Sequence, residues 1–349
     1  MSKKKIGILT HPLINNYGGI LQTFALQTYL QHFDFEVVIL DRRNNRGVIK
    51  RLALAMLNAI PFTPYWKARI RVRKLTSFIN THIHRTKAIY SDWEFKKVCD
   101  KNIFDVIVVG SDQVWRADFA SPRGGLYFLD FIPKNSKTKK IAYAASLGYD
   151  DWRYTFETTI KIQEWVSDFI AVSVREESAV KLCKENMHVD ATHVLDPTFL
   201  LPVTEYDKLA STRLVIGKYI FVYWLGDRES LRKAILPFIN KGYTIIEQSL
   251  RGNNIQMSIE DWLSYIKYAD RVITDSFHGC VFSLIFHKQF IIHANQSGGT
   301  TRLASLFKML NIEGIFNNSD YMIDYIALDN TLITLRNFSK EFLFKALEI

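Results

Sequence analysis

Apolar runs and amphipathic stretches alternate along this chain with little interruption. "KIGILT" is a short run of buried-strand type, and "GILQTFALQTYLQHF" carries apolar residues at helical spacing. "FEVVILD" is strand-like again, so the first 41 residues read as a strand–helix–strand unit. After a basic stretch come three further buried-strand patterns, "FDVIVVG", "KKIAYAAS" and "FIAVSV". The helical patterns "DDWRYTFETTIKIQEWVSDF" and "REESAVKLCKEN" flank the last of them. Asp196-Pro197 and Pro202 mark a boundary near residue 205. The alternation then restarts with "KYIFVYWLG", "DRESLRKAILPFINK", "YTIIEQS", "SIEDWLSYIKYA", "DRVIT", "SFHGCVFSLIFH", "QFIIHA" and "TRLASLFKMLNI".

Strands alternating with helices predict an α/β protein: two Rossmann-like domains whose parallel sheets, wrapped by helices, face a cleft. The expected division is 1–205, with a helical insertion at about 42–91, then 206–320. Helices over 321–349 are expected to pack back on the first domain. In such folds ligands bind beyond the carboxyl ends of strands, so polar residues there are the candidates for chemistry.

A length of 349 residues suits two cores rather than one, and 48% hydrophobic residues suit a folded chain. Cys99, Cys183 and Cys280 are scattered, which gives neither a disulfide framework nor a Cys-based zinc spacing and points to a reducing cytoplasm. The apolar run after "MSKKK" is too short for a signal peptide, and no segment reaches the roughly 18 apolar residues of a membrane span. His82, His84, His287 and His293 lack paired spacing with a carboxylate, so no metal is expected.

Charge changes the picture in one place. The net charge is +10, yet Arg42 to Ser91 holds 12 Lys or Arg and no Asp or Glu, while the rest of the chain carries 33 basic and 35 acidic residues. Inside that segment "LALAMLNAI" is flanked by cations and by Tyr65 and Trp66. Attachment to an anionic membrane surface and a solvated basic face on a helical hairpin both fit. No nucleic-acid-binding module is recognisable there.

Four polar clusters fall at strand ends. "THPLINNYGGILQ" places Asn15, Asn16, Gly18 and Gly19 before a helix, as an anion-binding turn or a plain strand–helix turn. It lacks the dinucleotide fingerprint. "VIVVGSDQVW" sets Asp112 after a strand, either to take or orient a hydroxyl proton or to cap a turn; Trp115 is a sugar platform or core. "AVSVREESAV" presents Arg175, either as a fork for a carboxylate or phosphate or paired with Glu176, Glu177 or the Asp196 loop. "ITDSFHG" puts His278 on a first helical turn, where it can exchange a proton beside a bound anion if that anion or Asp275 supports its charge. Asp275 or Ser276 would cap the helix.

In this order, "NNYGGILQTFAL", "FDVIVVGSDQVW", "SVREESAV", "LDPTFLL", "VITDSFHG" and "TTRLASLFKMLNI" resemble the polysaccharide pyruvyl transferase family, over about residues 6 to 312. The resemblance implies a fold like the GT-B glycosyltransferases. It also implies transfer of the pyruvyl group of phosphoenolpyruvate to two hydroxyls of a sugar, in a surface polysaccharide or its lipid-linked precursor. A cyclic ketal forms and phosphate leaves, with no metal or nucleotide cofactor. By motif position His278 would be catalytic with Asp112 near the reacting centre, Arg175 would bind the donor, and Arg302 would help close the site. Ser276, Gly279, Asn16, Gly18 and Gly19 fall on the donor side, Trp115 and Gln113 on the acceptor side. One departure stands out: many relatives have Arg two residues before the histidine, where this chain has Ser276.

Two other readings remain at this point. A GT-B glycosyltransferase using a nucleotide sugar often has a spaced Glu pair in its second domain, which the Glu positions after residue 205 do not reproduce. A non-catalytic glycan- or lipid-binding subunit would keep the fold without needing His278.

Overall fold

The structure is a computed structural model that describes residues 3–250, 255–293, 300–316, 318 and 320–348. Among the described residues ten strands form two parallel sheets. The first contains β1 (Lys5–Leu9), β2 (Glu36–Ile39), β3 (Val106–Asp112), β4 (Lys139–Ala145), β5 (Phe169–Val174) and β6 (Thr192–His193), in the order β2-β1-β3-β4-β5-β6. The second contains β7 (Tyr219–Trp224), β8 (Thr244–Ser249), β9 (Arg271–Thr274) and β10 (Phe290–Ile292), in the order β10-β9-β7-β8. Ile8 pairs with both Ile39 and Val108, and Tyr223 pairs with Thr274. The central strands are buried on both faces, which is why they read as continuous apolar runs. β6 has no counterpart in the sequence reading, because two residues at a sheet edge carry no periodicity.

Strand order reverses direction at one point in each sheet, between β1 and β3 and between β7 and β9. Loops leaving such adjacent strands diverge to opposite faces and open a crevice at the carboxyl ends. The two crevices face one another, and the long apolar helix α1 (Tyr17–Gln31) holds them in register. Asn16 caps α1 through a hydrogen bond from the Gly19 amide at 3.1 Å. Thirteen of its fifteen residues are buried, too many for a one-sided surface helix, because it lies between the first sheet and the second domain. Tyr17 stacks on Trp262 at 5.3 Å, meets Tyr223 edge-on and donates to the Met257 carbonyl at 2.9 Å. One hydrophobic core therefore runs through both sheets.

The basic segment folds into α2 (Val48–Ala59), α3 (Pro64–Arg71) and α4 (Arg73–His82). Only α4 buries residues: Leu75, Phe78 and Ile79. The last long helix, Tyr325–Leu347, runs back over the first sheet. Ser339 accepts the Leu195 amide, Arg336 donates to the Phe199 carbonyl, and the Leu347 carbonyl accepts from Lys4. No helix among the described residues is long and apolar enough to cross a membrane.

Candidate active site

Both crevices open onto one pocket of about 120 Å³, bordered by Asn16, Asp112, Gln113, Ser276, His278 and Arg302 among others. A larger hollow of about 690 Å³, beside Arg42, Asp92, Arg123 and Asp130, lies on the first domain alone.

Asp196 is the hub beneath the pocket. One carboxylate oxygen accepts from the Thr198 amide at 3.0 Å and the Thr198 hydroxyl at 2.7 Å. The other accepts from Arg175 Nη1 at 2.7 Å and the Ser111 hydroxyl at 3.2 Å, and faces His278 Nε2 at 3.6 Å. The histidine contact is longer than a hydrogen bond. Burial alone would raise this carboxyl, but His278, Arg175 and the Thr198 amide outweigh it and hold it far below the carboxylate range. Asp196 is therefore a fixed negative charge that keeps Arg175 in place and faces His278.

Asp112 ends β3 with a left-handed backbone, φ +69°, a conformation that aspartate tolerates better than most residues. Its carboxylate accepts the Gln113 amide at 2.9 Å and Asn16 Nδ2 at 3.4 Å, and lies 3.6 Å from Arg175 Nη2. Burial pushes its acidity down, yet the guanidinium groups, Arg175 above all and then Arg302, help keep it ionised.

Arg175 is fully enclosed, pairs with Asp196, and leaves Nε and Nη2 without a hydrogen bond among the described residues. Its guanidinium lies 4.4 Å from the Phe277 ring centre, and that of Arg302 lies 5.7 Å from the same ring. No ion pair holds Arg302 among the described residues, and burial together with Arg175 pushes it down to about 10. Two guanidinium groups share one aromatic ring: Arg175 is neutralised by Asp196 and Asp112, while Arg302 has no ion pair among the described residues. Arg302 is therefore the cation of the two that an anionic ligand in the pocket could pair with.

His278 occupies the first turn of the helix Phe277–Ile285, capped by Ser276, and its Nε2 is buried without a hydrogen bond. The Asp275 carboxylate accepts the Leu225 and Gly226 amides at 2.7 and 2.6 Å and ties the β7 and β9 loops together.

Three glycine expectations are corrected. A Cβ on Gly18 would overlap the His278 imidazole, so Gly18 lets α1 pass against the histidine. The Gly19 amide serves the Asn16 cap and the Gly279 amide the Ser276 cap, and neither points an N–H at the pocket. The Trp115 expectation is corrected too. Its indole is fully buried, stacks on Phe128 at 5.6 Å and donates to the Tyr127 carbonyl at 2.8 Å, so it is core and not a sugar platform. Gln113 does border the pocket, with its amide oxygen accepting from Arg116 at 3.0 Å.

Sequence reasoning missed three residues. Asp196 was visible only as a boundary mark and an ion-pair option, Phe277 as one apolar residue among many, and His11 not at all. His11 follows β1, meets the Tyr127 hydroxyl at 3.2 Å, and keeps Nε2 buried without a partner. Burial lowers its pKa despite the pull of Asp112, so it stands neutral beside the ionised carboxylate. Among the described residues no cluster of His, Cys, Asp and Glu is arranged to hold a metal ion.

A family model for polysaccharide pyruvyl transferase matches residues 16–297, a span that contains every polar group just described except His11 and Arg302. The chain belongs to the polysaccharide pyruvyl transferase family. No curated protein sequence matches it. Solved structures share the fold at low identity. UDP-GlcNAc 2-epimerase from Methanocaldococcus jannaschii is 13% identical with a TM-score of 0.52, over 96% of this chain and 93% of that one. A putative UDP-N-acetylglucosamine 2-epimerase from Listeria monocytogenes is 11% identical with a TM-score of 0.53, over 99% and 91%. A glycosyltransferase from Rickettsia africae is 10% identical with a TM-score of 0.50, over 99% of both chains. At such identity the likeness speaks for the two-domain α/β fold of this family member and not for its substrate.

Proposed function

We propose that this family member transfers the pyruvyl group of phosphoenolpyruvate onto two hydroxyls of a sugar in a surface polysaccharide or its lipid-linked precursor. The observation that carries the reading is that Arg302 and His278 border one small pocket at two facing strand-end crevices, with Arg175 buried against the Phe277 ring that also borders it. Phosphoenolpyruvate has a carboxylate and a phosphate, which suit the unpaired guanidinium of Arg302 at the pocket and the free N–H groups of Arg175 behind it. Arg302 supplies the second cation that Ser276 does not.

In this reading His278, whose Nε2 lies 3.6 Å from the Asp196 carboxylate, is the acid that gives a proton to the methylene carbon and makes C2 electrophilic. Asp112 aligns the attacking hydroxyl. In the empty site Asp112 is too acidic to be a good base, but a bound trianion would offset both arginines and raise its proton affinity. The first C–O bond forms at C2, the bond from C2 to the phosphate oxygen breaks, and the second hydroxyl closes the ketal. Of the two hydroxyl protons, one replaces the proton now on the methyl group and the other leaves with phosphate.

A nucleotide sugar is the competing donor. A thermal-shift comparison of phosphoenolpyruvate with UDP-GlcNAc, on wild type and on Arg302→Met, tests the choice. Stabilisation by phosphoenolpyruvate that the variant loses supports the proposal; stabilisation by UDP-GlcNAc alone rejects it.

A further inference from the structure

The hairpin of α2 and α3 has no counterpart in the site chemistry, and its surface is unusual. Neither helix buries a residue. Leu54 and Leu57 of α2 are half-buried, whereas Ile49, Leu52 and Met56, at helical spacing, face outward with exposures of 86%, 60% and 70%. The row continues over the turn with Ile60 and Phe62, the latter 77% exposed and packed on Trp66 at 5.5 Å, and ends at Tyr65. Around it stand Arg46, Lys50, Lys67, Arg69 and Arg73, all exposed and without an ion pair among the described residues. The segment's other cations are partly accounted for: Arg42 pairs with Asp92, Arg51 with Glu94 and Lys74 with Asp261.

We infer that the outward face of α2, with the α2–α3 turn, docks on an anionic lipid bilayer. An apolar row ringed by unpaired cations and free of acids matches an interface where acyl chains lie beneath negative headgroups. Tyr65 and Trp66, each an apolar ring with a polar edge, suit the headgroup level. A second copy of the chain fits poorly, since a two-fold contact would set the same cations against each other. Nucleic acid would use the cations and leave the apolar row in water. α4 anchors the hairpin to both domains: it packs on α1, the Arg71 carbonyl just before it accepts the Gln256 amide at 2.9 Å, and Lys74 meets Asp261. Docking would thus hold the whole two-domain body at the membrane. The inference is independent of the pyruvyl-transfer reading, because vesicle binding is measured without turnover.

The test is flotation of the full chain with vesicles of phosphatidylcholine alone, or of phosphatidylcholine and phosphatidylglycerol in equal parts, at low and high salt. The expected result is retention on the mixed vesicles at low salt and its loss on pure phosphatidylcholine and at high salt. Lys50→Gln with Lys67→Gln should weaken retention about fivefold per cation removed. Leu52→Glu with Met56→Glu should abolish it. Both pairs lie on helices with no buried residue, so melting temperature and any phosphoenolpyruvate-induced shift should stay as in wild type. Four outcomes overturn the inference: no retention of wild type, retention indifferent to both pairs, a dimer that Leu52→Glu with Met56→Glu dissociates while vesicles bind neither protein, or tighter retention on random-sequence DNA than on the vesicles.

Discussion

Gly18→Ala should couple energetically to His278 and to nothing else of consequence. Alanine in a helix is favoured over glycine by about 1 kcal/mol, so in open space the change would stabilise α1. Here the new methyl would overlap the imidazole and come within 2.7 Å of the His278 Cβ. Inserting a methyl into a packed site costs about 1–3 kcal/mol, which leaves a net loss of roughly 0–2 kcal/mol. At roughly 2 °C per kcal/mol for a chain of this size, the melting temperature should fall by only a few degrees. Transfer should suffer far more, by about 10²–10⁴, because the displaced ring leaves Asp196 and the pocket. Gly19→Ala is the control: its Cβ would sit 3.1 Å from Asn16 Nδ2, which a small shift of that side chain relieves. Equilibrium unfolding in a double-mutant cycle isolates the contact. In a His278→Gly background the clash is gone, so Gly18→Ala should stabilise by up to about 1 kcal/mol. A coupling within about 0.5 kcal/mol of zero would refute the reasoning.

Asp196→Asn should destabilise the fold by about 3 kcal/mol, since it strips the nearest counter-charge from buried Arg175. Because the native Asp196 carboxyl is depressed, its contribution is full above the unfolded value near 3.9 and is lost as pH falls below it. The acid limb of unfolding should accordingly flatten in the variant. Arg302→Met should leave the unliganded protein as stable as wild type or more so, by relieving repulsion with Arg175, while donor-induced stabilisation disappears; a large fall in melting temperature would speak against an unpaired cation. His11, neutral when buried, stabilises above its unfolded value of about 6.5 and loses that contribution as pH falls through its lowered folded value. His11→Gln should reduce the loss of stability between about pH 6.5 and 5, measured by thermal unfolding across pH.

The alternation of "KIGILT", "FDVIVVG", "KYIFVYWLG" and "DRVIT" with helical patterns was enough to read two parallel sheets, because strands buried on both faces are written as unbroken apolar runs. Strand order follows from no such pattern, and with it the two facing crevices stay hidden until the chain is folded. Arg175, Asp112, His278 and Arg302 were legible because ionisable residues at strand ends or in an ordered motif set are unusual. Asp196 was not, since a buried carboxylate beside a proline looks like a turn residue. Gly18 was noticed for the wrong reason: its lack of a side chain serves a histidine 260 positions away, a pairing that no local spacing encodes. Trp115 failed in the opposite direction, as an aromatic residue next to a polar cluster that turned inward because Tyr127 offers its indole a carbonyl.

The most direct test of the central claim follows the labelled pyruvyl group itself. The enzyme would be incubated with carboxyl-labelled phosphoenolpyruvate and with the producing organism's own surface glycan, stripped of pyruvate by mild acid. The account predicts acid-labile label in the glycan, one phosphate released for each group transferred, and neither with His278→Gln. Label that enters the glycan from UDP-GlcNAc and not from phosphoenolpyruvate, or transfer that survives His278→Gln, would contradict it.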